Sequence, residues 1–101
     1  MFIAIIDFTV APADRDKALA ILAEDAPAAR ALPGNLGYRA FTNAGESGHV
    51  GIFHEWETEA DFQGYATSKE FATIGSKLRP LMTGAPISRR FEAQLFEELK
   101  G

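Results

Sequence analysis

The 101-residue chain predicts an α+β fold, a four-stranded antiparallel sheet with its helices gathered on one face. Three observations carry that prediction. Four segments are rich in β-branched and aromatic residues and can be read with a period of two. The stretches between them space apolar residues at helical intervals or carry helix-cap signals. Their order is strand, helix, strand, strand, helix pair, strand, which is the ferredoxin-like βαββαβ arrangement of split βαβ units.

Phe2 to Val10, bounded by Ala11-Pro12, forms the first strand, and both of its faces are largely apolar. Ala13 to Leu32 is an Ala- and Leu-rich helix with Asp14 and Asp16 in its first turn, where the helix dipole favours negative charge. Pro27 interrupts its apolar pattern, so a kink or break is expected near Asp25. Pro33-Gly34-Asn35 stops the helix. Leu36 to Asn43 is the second strand, joined to the third through the turn Ala44-Gly45-Glu46-Ser47-Gly48.

The third strand, His49 to Glu57, is the centre of the chain. It places Val50, Ile52, His54 and Trp56 on one face, and it holds the single Trp and both His residues. Thr58-Glu59-Ala60-Asp61 caps a short helix from Asp61 to Ala66. Thr67-Ser68-Lys69-Glu70 reads as a second capping box, opening a helix with Phe71, Ile74, Leu78 and Leu81 on one side. Gly75 inside that helix costs roughly 1 kcal/mol relative to Ala, which suggests that something needs the space. Ile87 to Phe96 is the last strand, so 2–96 form the core of a single domain and 97–101 a polar tail.

Bulk composition narrows the function. A fraction of 47% apolar and 24% charged residues marks an ordered globular chain. A net charge of −4, with Lys and Arg scattered, points away from nucleic acid. Having no Cys, the chain has no disulfides, thiolate metal sites or Cys nucleophiles. His49 and His54 lie on opposite faces of a strand and cannot share a metal, and no nucleotide-binding or Ser-His-Asp signature occurs. The apolar start ends at Asp7, too short for a signal core or a membrane span, so no membrane is expected and a cytoplasmic location follows as the default. With helices on one side of the sheet, the other side would expose the second face of the first strand, Phe53, and Phe91 or Phe96. A homodimer packed through that open face is the economical solution.

Several motifs carry a resemblance. Pro33-Gly34-x-Leu36 follows a long Ala-rich helix, and His54-Glu55-Trp56-Glu57-Thr58-Glu59 and Ser68-Lys69-Glu70-Phe71 come after it. With these the chain resembles the antibiotic biosynthesis monooxygenase (ABM) domain of the dimeric α+β barrel superfamily, over nearly its whole length. The resemblance implies a pocket between sheet and helices, bordered here by Asp7, Ile52, His54, Trp56, Phe62, Tyr65, Glu70 and Arg79. It implies cofactor-independent monooxygenation of a small aromatic or quinol-like compound, with a non-catalytic homodimeric ligand-binding protein as the alternative from another class. Haem-degrading members of the superfamily carry an Asn, a Trp and an axial His where this chain has Asp7, Tyr65 and Gly75, so no haem and no other cofactor is expected. The strand Trp of the polyketide oxygenases is kept as Trp56, but their Asn and Tyr are replaced by Ile52 and Phe62.

Within that frame His54 is the expected general base, taking a phenolic proton so that the anion reacts with O2. Asp7, the one acidic residue inside an apolar strand, is a second candidate base if it faces the pocket. If it faces the dimer interface, it pairs with Arg89 or Arg90. Trp56, Ile52 and Phe62 are the expected apolar wall, with Trp56 equally readable as a core residue. Tyr65 would donate to a substrate carbonyl, and Arg79 would steer an anionic or phenolate ligand. His49, beside the turn, is expected to be solvated.

Overall fold

The computed structural model describes all residues, Met1–Gly101. Strands β1 (Phe2–Thr9), β2 (Asn35–Phe41), β3 (His49–Trp56) and β4 (Ile87–Glu92) form one antiparallel sheet in the order β2-β3-β1-β4. Helices α1 (Arg15–Arg30), α2 (Glu59–Ala66) and α3 (Lys69–Leu78) complete the ferredoxin-like α+β fold. No helix is long and apolar enough to cross a membrane.

Alternation along the strands sorts the sheet into two faces. Phe2, Ala4, Phe8 and Val10 join Val50, Ile52, His54 and Trp56 in the core, all buried. The opposite set, Ile3, Ile5, Asp7 and Thr9, lies in register with Phe91, Arg89 and Ile87 of β4 and with Glu55, Phe53, Gly51 and His49 of β3. That face has no helix over it. Of the two candidate phenylalanines, Phe91 is the one it carries, because Phe91 pairs with Ile3.

Helix α1 runs unbroken through Pro27, so of the kink or break expected near Asp25 the break does not occur. Proline removes one N–H, but Ala18, Leu22, Ala26 and Ala29 are buried on both sides of it and hold the helix to the core. The helix ends at Arg30, and the turn that follows passes through Gly34, whose φ of +79° is the left-handed conformation that favours glycine. A Cβ at that position would lie 2.2 Å from the Asp61 carboxyl.

Thr58 caps α2 as its sequence promises. Its hydroxyl accepts from the Asp61 N–H at 3.1 Å and donates to the Asp61 carboxylate at 2.9 Å. The second box is shifted by one residue. Ser68, not Thr67, caps α3 by accepting from the Phe71 N–H at 3.1 Å, while Thr67 closes α2 by donating to the Gln63 carbonyl at 2.9 Å. Helix α3 ends at Leu78, short of the expected Leu81, since Pro80 has no N–H to continue it. Strand β4 stops at Glu92 rather than Phe96. Phe2 of β1 is its last ladder partner, followed only by mutual bonds between Met1 and Ala93. Beyond it Leu95, Phe96 and Leu99 are exposed.

Candidate active site

The core face of β3 is an aromatic cluster built around His54. His54 and Trp56 are both fully buried. The indole N–H of Trp56 donates to His54 Nδ1 at 2.8 Å, so the imidazole carries its proton on Nε2. Nε2 has no hydrogen-bond partner, alone among the buried side-chain N and O atoms. The rings of Tyr38, Tyr65 and Phe62 surround the imidazole at centroid distances of 5.2, 5.5 and 5.7 Å. Burial, with a smaller push from the Arg90 cation, lowers the pKa of His54 to about 4. It is therefore neutral at pH 7, and its one lone pair is already used by the indole. That geometry gives His54 a hydrogen-bond donor where a general base was expected.

Tyr65 projects from α2 and stacks on Trp56 at 5.3 Å and 25°. Its hydroxyl lies 2.9 Å from that of Tyr38, a β2 residue that the sequence reading passed over. Burial raises the pKa of both phenols, and for Tyr65 the neighbouring Tyr38 adds to the shift, so both stay protonated. Phe62 packs on Phe2 at 5.0 Å, with Arg90 over its ring at 4.8 Å.

Next to this cluster, between sheet and α3, lies an apolar cavity of about 100 Å³. Ile6, Phe8 and Ile52 wall it from the sheet, Phe71, Ile74 and Leu78 from α3, and Tyr65 from the cluster side. Gly75, Arg79, Met82 and Pro86 complete the lining. Of the residues singled out from sequence, Ile52, Tyr65 and Arg79 border this cavity. His54, Trp56 and Phe62 do not border it. They sit one layer away, because the ring of Tyr65 stands between Trp56 and the hollow. Phe71, Ile74 and Leu78 were legible as the apolar side of α3, and Ile6 and Phe8 from the alternation of β1. Met82 and Pro86 lie in irregular chain with no pattern to mark them.

Asp7 faces the other side of the sheet, so its role as a pocket base is not met. Its carboxylate meets His49 Nε2 at 2.7 Å and Arg89 Nη1 at 3.6 Å. His49 is buried at 6% exposure rather than solvated, because its Nδ1 also accepts the Asn43 N–H at 3.0 Å and Phe41 packs against its ring. Both of its ring nitrogens are thus engaged. Glu70 lies beside Asp25 and Lys69 in a shallow surface depression away from the cavity. No cluster of His and carboxylate side chains could hold a metal ion.

The site is thus an apolar hollow beneath α3 on the helix-covered face of an open α+β sheet. The model of the family described as "Antibiotic biosynthesis monooxygenase" matches residues 1–76, and the chain belongs to that family. Solved structures agree in fold. One is a candidate antibiotic biosynthesis monooxygenase from Deinococcus radiodurans, with a TM-score of 0.87, 19% identity and 100% of both chains covered. Another is an antibiotic biosynthesis monooxygenase with a TM-score of 0.83 and 19% identity, covering 94% of this chain and 100% of that one. A third is Rv0793 from Mycobacterium tuberculosis, with a TM-score of 0.82 and 20% identity, covering 95% and 96%. Comparison with curated proteins gave no match. A general monooxygenase-like role is the coarse function that the family supports.

Proposed function

We propose that the protein is a cofactor-independent monooxygenase for a small quinol-like aromatic, bound in the cavity under α3. The observation that carries this reading is an apolar hollow with a single cation, Arg79, in its lining. A hydroquinone ring fits among Ile52, Phe71 and Ile74, and the guanidinium stabilises its phenolate form. Because the His54 lone pair is taken and Asp7 is on the far face, the phenolic proton passes to solvent. The phenolate gives one electron to O2, and the resulting radical and superoxide combine to form a bond from a ring carbon to oxygen. After protonation the O–O bond breaks as that carbon loses its hydrogen. One O2 and one hydroquinone become one hydroxyquinone and one water. O2, itself apolar, enters such a cavity readily.

Oxygen uptake with a panel of hydroquinones tests the reading. One O2 consumed per substrate, with the hydroxyquinone formed and no hydrogen peroxide released, is the expected result. A trace no steeper than the protein-free control across the panel would overturn it. The alternative, a non-catalytic small-ligand binder, draws support from one feature: neither a carboxylate nor an imidazole borders the cavity. Either role is completed by a homodimer packed through the open sheet face, where Ile87 and Phe91 are 54% and 44% exposed.

A further inference from the structure

We infer that the cavity selects a single-ring aromatic that carries a carboxylate, held by Arg79. The inference rests on the cavity being the substrate site and adds the chemical class of its ligand. Size is the first argument. At about 100 Å³ the hollow is of the order of one ring, since a cavity of roughly 150 Å³ takes benzene. A second fused ring exceeds that volume.

Charge is the second argument. Arg79 is exposed at the cavity rim, and none of its guanidinium N–H groups takes part in a hydrogen bond or ion pair within the chain. No carboxylate lines the cavity to neutralise it. A planar guanidinium with its fork of donors free matches a carboxylate in two parallel bonds, which a lysine or a hydroxyl cannot do.

The third argument is position 75. Arg79 follows Gly75 by one helical turn, and a Cβ there would lie 3.2 Å from Arg79 Nη2 and 3.3 Å from Cζ. Glycine at 75 thus leaves the guanidinium room to lie along the helix at the cavity rim, where a Cβ would be a tight contact.

The experiment compares anaerobic binding of three probes by calorimetry: 2,5-dihydroxybenzoate, hydroquinone and 1,4-dihydroxy-2-naphthoate. The benzoate is expected to bind at least about tenfold more tightly than hydroquinone, the usual yield of a charge-assisted bidentate contact, and the naphthoate more weakly than the benzoate. Arg79→Gln should erase the preference for the acid, weakening the benzoate at least about tenfold more than it weakens hydroquinone. Circular dichroism checks that the variant keeps the fold. Equal binding of acid and neutral ring, a preference that survives Arg79→Gln, a naphthoate that binds as tightly as the benzoate, or no binding of any probe would each overturn the inference. Selective binding of the acid without oxygen uptake would instead sink the oxygenase reading alone. Oxygen uptake with no preference for the acid would sink only the carboxylate.

Discussion

Acid should unfold this protein through His54, and the size of the effect follows from the aromatic cluster. The imidazole is enclosed by β3 itself, Tyr38 of β2, and Tyr65 and Phe62 of α2, with Arg90 of β4 the one charge that acts on it. Its folded pKa of about 4 lies below the unfolded value of 6.5. Between those two values the unfolded chain takes up a proton that the folded chain refuses, so the stability contributed by neutral His54 is complete above pH 6.5 and falls as pH drops toward 4. At about 1.4 kcal/mol per unit, the full loss is about 3 kcal/mol, and near pH 5 it is about 2 kcal/mol. For a domain of this size that moves the urea midpoint by on the order of 1 M.

Urea unfolding followed by Trp56 fluorescence at a series of pH values measures it. His54→Gln is the matched control: the amide oxygen can still accept from the Trp56 N–H, but the side chain does not titrate. Carboxylates common to both proteins cancel in the comparison. The variant should be less stable near neutral pH and lose less stability on acidification, by about 2 kcal/mol near pH 5. Parallel stability curves for the two proteins would refute the argument, because they would mean that His54 takes up its proton as easily folded as unfolded.

Three further outcomes are expected. Gly34→Ala should cost about 1–2 kcal/mol or more in urea unfolding, since its positive φ strains any L side chain and its Cβ would collide with Asp61. Thr58→Ala should cost about 1 kcal/mol by removing the hydroxyl that caps α2, while Thr67→Ala, which removes only a back-bond to the Gln63 carbonyl, should cost less. Phe91→Asp, on the open sheet face, should shift sedimentation from two copies toward one without unfolding the chain. A variant that sediments as wild type does would remove that face from the interface.

Period, caps and turn residues were sufficient to determine the element order, the one-sided placement of helices and the two faces of β1 and β3. They suffice because each is a local property: alternation needs only a neighbour two residues away, and Thr58 needs only the N–H of Asp61. The sequence also marked Ile52, Tyr65 and Arg79, and the glycine at 75 as a position where space is used. Its errors came where a distant partner decides. Pro27 did not break α1 because buried alanines on both sides outweigh one missing hydrogen bond. Strand β4 ended where β1 ran out of ladder partners, a fact that is invisible in Ala93 to Phe96. His49 looked solvated beside its turn until Asp7 and Asn43 closed on its two ring nitrogens. His54 and Trp56 share the face that the cavity occupies, yet the ring of Tyr65 stands between Trp56 and the hollow. Which lone pair is free, and which ring stands between a residue and a cavity, are set by side chains that meet only after the sheet and helices have closed on one another.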